Sequence, residues 1–300
     1  MKLGDILVCL DPTDAGEHRL HLAAMLAREH QAHLSAAYIA AHDSAGAAPY
    51  GDLGITAPAG VAGVAEGSLV AGIPAPGIPS APNPDTTRGA ALADIIEQRY
   101  REALRPHAIE GDWHLFGAGE AAELVTLAKT VDLIVYGQAS REYRAPSGFR
   151  PEDIVMACGR PMLVTPYAGN SAAIGRRVLV AWDATREATR ALHDALPLLE
   201  KAEAVTVMTV RAREAQFEHD RPGLDRIVRH LERHGIAAHA EETLQGDLPV
   251  SDVLLSRAAD LDADMIVAGA YHHSQFREAL LGGVSRELLE HMTAPVLMSH

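Results

Sequence analysis

Short apolar runs alternate with helical periodicities along most of the chain. The pattern is clearest after residue 172. Arg177–Trp182, Ala204–Val210, Ala237–Thr243, Met265–Ala268 and Val296–Met298 read as strands. The first, fourth and fifth are almost continuously apolar, as parallel strands buried on both faces must be. Between them, Glu187–Glu200 places Ala188, Ala191, Leu192, Ala195, Leu198 and Leu199 on one helical stripe. Gln216–His234 does the same with Leu224, Ile227, Val228 and Leu231, and Gly235 follows as a helix stop. Val250–Leu261 and Val284–Met292 supply two more helices. The order β-α-β-α-β-α-β-α-β predicts a parallel five-stranded sheet, order 3-2-1-4-5, with right-handed crossovers and helices on both faces.

The pattern occurs twice. Ile6-Leu-Val-Cys-Leu-Asp11 aligns with Val178-Leu-Val-Ala-Trp-Asp183, and the register at an offset of 172 continues through Leu20/Leu192, His21/His193 and Ala23/Ala195. Asp132-Leu-Ile-Val-Tyr-Gly137 aligns with Asp264-Met-Ile-Val-Ala-Gly269, and Arg160-Pro-Met-Leu-Val164 with Ala294-Pro-Val-Leu-Met298. Three ordered correspondences indicate tandem Rossmann-like α/β units, residues 1–167 and 172–300. The first is longer by about 40 residues, within 42–89. That stretch is rich in Gly, Ala and Pro, which disfavours regular structure. It is nearly uncharged and carries scattered Ile, Leu and Val, so part of it is expected to pack as an irregular flap.

Composition narrows the partners. Forty acidic residues against 26 basic ones give a net charge of −14, which argues against nucleic acid. There are three lysines, Lys2, Lys129 and Lys201, and no lysine-bearing phosphate loop. Cys9 and Cys158 sit in apolar runs and read as buried, reduced thiols. No signal-type segment or 18-residue apolar run occurs, so a cytoplasmic protein without a membrane span is expected.

In a 3-2-1-4-5 sheet, ligands bind beyond the carboxyl ends of strands 1 and 4, where the strand order reverses. Those ends carry Asp183 and Gly269 in the second unit, Asp11 and Gly137 in the first. After Gly269 the chain reads Ala-Tyr-His272-His, and Gly282-Gly283-Val284-Ser285 then opens the last helix. Free amides at that helix start form an anion site, phosphate being the usual occupant. Asp183 can accept from a base amine or a ribose hydroxyl. It can equally cap the following helix, and Gly282-Gly283 can equally be a turn. Pro151 stands where the second unit has Ser285, and the first unit's loop is two residues shorter.

This layout resembles the universal stress protein family. Its nucleotide-binding members carry G-x2-G-x9-G-[S/T], continued by a small residue and Ser or Thr. Gly269 and Gly282 fit the first and third glycines, and Val284-Ser285 fits the continuation. His272 stands in place of the second glycine and Gly283 in place of the hydroxyl residue. The resemblance implies ATP or another adenine nucleotide, with or without Mg2+, in the second unit only. Asp183, Thr209 and Val210 would frame the adenine. Gly269, Ala270 and His272 would pass the ribose and phosphates, and Gly282, Gly283, Val284 and Ser285 would hold the phosphates. The first pocket is expected to hold no nucleotide, being filled by the insert or taking another ligand. A binding module is implied rather than an enzyme, with a protein partner that the sequence does not name. The alternative is a scaffold of the same fold that binds proteins or a small apolar ligand.

Three further patterns carry less. Gly117-Ala-Gly-Glu-Ala-Ala122 matches a dinucleotide fingerprint but follows the third strand instead of the first. The pairs His18/His21 and His230/His234 have helical spacing but no third metal ligand in sequence. His272-His273 reads either as a pH-sensitive phosphate contact or as loop surface. The short apolar fifth strands, Arg160–Thr165 and Pro295–Ser299, are edges that invite pairing. They are expected to join the two units about a pseudo-twofold axis, and two chains are expected to form a homodimer.

Overall fold

Strand β1 (Asp5–Leu10) shows why the sheet forms. Ile6, Leu7 and Val8 are all fully buried. Ile6, Val8 and Leu10 face one core layer, while Leu7 and Cys9 face the other. A computed structural model describes residues 2–40, 84–117, 119–139, 151–168, 174–211, 217–270 and 283–300. In the first unit, β1 is followed by α1 (Asp14–His30), β2 (His33–Ala40), α2 (Pro84–Leu104), β3 (Trp113–Gly117), α3 (Ala121–Ala128), β4 (Leu133–Gly137), α4 (Pro151–Cys158) and β5 (Met162–Thr165). The second unit repeats it with β6 (Arg177–Ala181), α5 (Arg186–Leu199), β7 (Ala204–Arg211), α6 (Phe217–Arg233), β8 (Ala238–Leu244), α7 (Val250–Asp260), β9 (Met265–Gly269), α8 (Gly283–His291) and β10 (Val296–Ser299).

The ten strands form one sheet, β3-β2-β1-β4-β5-β10-β9-β6-β7-β8, so each unit has the expected 3-2-1-4-5 order. All pairings are parallel except β5 with β10. There Leu163 pairs with its own counterpart Leu297, and Met162 and Val164 pair with Met298 and Val296. A pseudo-twofold axis through Leu163/Leu297 produces that register. The fifth-strand edges are therefore consumed within the chain, and β3 and β8 are the outer edges. Both core layers run continuously across the two units.

The repeated aspartates Asp132 and Asp264 have a shared structural cause. Asp132 Oδ2 accepts the amides of Gly4 (2.7 Å) and Asp5 (3.1 Å), and Asp264 accepts those of Arg176 and Arg177. Each ties the entry of the fourth strand to the entry of the first, far from the ligand end.

The stretch 42–89 needs one correction. Its last six residues are the start of α2, because Pro84 at the first helical position costs no backbone hydrogen bond and carries a suitable φ. Residues 42–83, including the expected flap, lie outside the described residues. Among the described residues no helix is long and apolar enough to cross a membrane.

Candidate functional site

The crevice beyond β6 and β9 is built by two helix starts leaning on one glycine. After β6, Ala184 takes a left-handed conformation (φ 60°) and turns the chain into α5. Thr185 is the N-cap, its hydroxyl accepting from the Ala188 amide at 3.2 Å. Asp183 braces that cap: its Oδ1 accepts from the Thr185 amide (3.0 Å) and hydroxyl (2.6 Å). Asp183 is exposed, and among the described residues its Oδ2 makes no hydrogen bond. One oxygen of Asp183 thus serves the turn into α5.

Gly269 ends β9 directly under this turn. A Cβ there would lie 2.6 Å from the Ala188 nitrogen and 2.7 Å from the Glu187 carbonyl carbon. From the other side, Ser285 in the first turn of α8 reaches the Gly269 carbonyl with its hydroxyl (3.4 Å) and is buried. Asp183, Gly269 and Ser285 therefore share one crevice. Gly283 and Val284 are both exposed, and among the described residues Glu287 Oε1, at 3.9 Å, is what approaches the Gly283 Cβ position. Ala270 is fully buried, its amide given to Ser299. The Thr209 hydroxyl is donated to the Trp182 carbonyl (2.8 Å), tying the end of β7 to the exit of β6. Val210 is half-buried beside it. His272, His273 and Gly282 lie outside the described residues.

The first unit's crevice has the same frame and a different content. Asp11 Oδ1 accepts from the Thr13 amide (3.0 Å) and hydroxyl, as Asp183 does with Thr185. Its Oδ2, however, is paired with Arg19, whose Nη1 also donates to the Cys9 carbonyl (3.0 Å). Arg19 is 4% exposed. Its guanidinium lies flat against Gly137, where a Cβ would meet Nη1 at 2.5 Å. The remaining cavity is about 20 Å³, bordered by Gly137, Gln138, Thr165 and Tyr167, room for about one water. Arg19 fills the described part of this crevice. Sequence reasoning missed it. The signal was the offset of 172, which sets Arg19 against fully buried Ala191. Burial pushes the neighbouring Cys9 thiol up to about 12, the Arg19 charge offsetting only part of it, so no thiolate faces the crevice.

The remaining patterns resolve structurally. Glu120 stands at the start of α3 and its carboxylate accepts the Gly117 amide (2.7 Å), placing a negative charge where a dinucleotide would put its own. His193 packs beside His230 (ring centroids 5.1 Å apart), and His230 beside His234 (4.8 Å), an association invisible in the sequence. Among the described residues no three His, Cys, Asp or Glu side chains are placed to hold a metal ion.

Comparison with known proteins places this geometry. A model of the universal stress protein family matches residues 175–300. No curated protein matches the chain by sequence. The fold is shared along its whole length with a universal stress protein from Archaeoglobus fulgidus, with a TM-score of 0.70 and 13% identity, over 99% of this chain and 96% of that one. It is also shared with a Pseudomonas aeruginosa protein of unknown function, with a TM-score of 0.57 and 16% identity, over 99% of this chain and 92% of that one. At these identities the likeness is one of fold.

Proposed function

We propose, starting from the membership of residues 175–300 in the universal stress protein family, that the chain is a tandem cytoplasmic stress module. Its second crevice binds ATP or another adenine nucleotide, with or without Mg2+. The carrying observation is the contrast between the two aspartates: Asp11 is neutralised by Arg19, while Asp183 keeps an oxygen unpaired among the described residues. On this reading Asp183 accepts from the base or ribose, and the start of α8 with Ser285 meets the phosphates, which a helix N-terminus favours. The first unit then serves as a scaffold. The output is a change of binding or conformation passed to a protein partner, not turnover.

Isothermal titration with ATP, ADP and AMP tests this directly. One site per chain is expected. Asp183→Ala should weaken binding about tenfold or more, the worth of a hydrogen bond to a charged group. Absence of heat with every nucleotide removes the proposal in favour of a scaffold that takes no nucleotide.

A homodimer of this chain is also proposed. The internal β5–β10 pairing leaves β3 and β8 as outer edges, where Leu115 is 51% and Leu244 41% exposed. Sedimentation at micromolar concentration should show a species of about twice 31.9 kDa. A single 31.9 kDa species contradicts it.

A further inference from the structure

We propose that Gln138, supplied by the first unit, is a positioning residue for the phosphate end of the second crevice, an inference that rests on the nucleotide reading above. Gln138 follows β4, borders the residual cavity beside Arg19, and is 9% exposed. Its side chain leaves its own unit. The Nε2 group donates to the Leu289 carbonyl (2.7 Å) and the Glu290 carbonyl (3.2 Å) in the last turn of α8. Its Oε1 accepts the Tyr167 amide (3.1 Å). Only one orientation of the amide satisfies two carbonyls and one N–H together, so the side chain is fixed by its partners.

The last four carbonyls of any helix have no partner inside it. In α8, Gln138 takes two of them from across the pseudo-twofold interface. The helix has nine residues, about 13 Å, and its other end carries Gly283, Val284 and Ser285 at the second crevice. A rigid rod held at one end fixes the other. Within its own unit α8 is also tied by the Ser251 hydroxyl on Glu287 (2.7 Å). The counterpart of Gln138 in the second unit is Ala270, whose methyl can make no such bond. The bracket therefore runs one way: the unit whose crevice holds Arg19 steadies the helix of the unit proposed to take the nucleotide.

The test is Gln138→Leu, which keeps the volume and removes the donors, with Gln138→Met as the second variant should the first not fold. Two readouts separate positioning from general stability. Titration should show ATP affinity falling about tenfold, the value of two hydrogen bonds, while adenosine affinity changes less than twofold. Hydrogen exchange of residues 283–291 should accelerate about tenfold, with exchange in β1 and β6 unchanged. Equal losses for ATP and adenosine, or unchanged exchange in α8, overturn the proposal. If the wild-type chain binds no nucleotide, the function reading fails by itself, and exchange in α8 alone decides whether Gln138 holds the helix.

Discussion

Arg19→Met should destabilise the protein by about 3–5 kcal/mol, and adding Asp11→Asn should recover most of that loss. The reason is an asymmetry in buried ion pairs. Forming one gains little, because both charges must leave water, but breaking one strands the survivor. Arg19 and Asp11 are 4% and 12% exposed at their side chains. Removing the guanidinium leaves the Asp11 carboxylate without its counter-charge and the Cys9 carbonyl without its donor. Methionine fills most of the vacated volume, so the measured loss reports charge rather than a cavity. The pair is also incompletely satisfied, since Arg19 Nε is buried with no hydrogen-bond partner among the described residues. Replacing both partners by neutral groups of similar shape should therefore cost about 1 kcal/mol or less. The side-chain amide introduced by Asp11→Asn retains an oxygen for the Thr13 amide, so the α1 cap survives. Urea denaturation of the wild type, the single variants and the double variant gives the coupling. Equal losses in Arg19→Met and the double variant would show that packing alone holds the crevice shut.

That residue also marks where sequence reasoning stopped. The first, fourth and fifth strands of the second unit were legible because burial on both faces leaves hardly a polar position to confuse the pattern, as in Val178-Leu-Val. Helix ends were legible to within a residue or two: Glu187–Glu200 is α5 at Arg186–Leu199, and Gln216–His234, stopped by Gly235, is α6 at Phe217–Arg233. The β5–β10 junction followed from two short apolar edges, and the crevice from the reversal of strand order. Arg19 was not legible because a charged residue at one helical position reads as surface, whatever covers it. Its partner Asp11 is eight positions away, and a buried pair leaves no periodic trace. Comparison of the two copies could have exposed it, since a duplicated fold puts Ala191 in the same place. Gln138 is harder still: its partners lie 151 and 152 residues away, and a lone glutamine after a strand has no signature. The start of α2 was hidden in another way. Glycine and proline content describes 42–89 on average, while a helix start depends on one proline in the right position.

His30 carries the second large effect, a loss of stability on acidification. It closes α1 at the contact with the second unit and is 6% exposed. An imidazolium at a helix C-terminus is ordinarily favoured, by up to about 2 kcal/mol. Here that gain loses to burial, and the Lys201 ammonium opposes it further, while Glu200 compensates only in part. Lys201 is held next to it in the chain's fold, donating to the Glu29 carbonyl at 2.6 Å. The outcome is a pKa lowered from 6.5 to about 4, with Nε2 buried and, among the described residues, unbonded. The unfolded chain thus takes up a proton below pH 6.5 that the native chain refuses until about pH 4. Stability must fall as pH drops through that window and level off below it, by about 3 kcal/mol in total. Every paired carboxylate adds its own pH dependence, so the measurement is a difference. Denaturation midpoints of wild type and His30→Leu should be close at pH 7.5, because leucine removes an unsatisfied buried nitrogen. They should diverge in favour of the variant from pH 6.5 to 4. His230, lowered by burial and by the rings of His193 and His234, keeps its smaller share of the slope in both proteins. Parallel curves across the window would mean that His30 accepts its proton in the folded protein, and that the contact between α1 and the loop after α5 opens to let it.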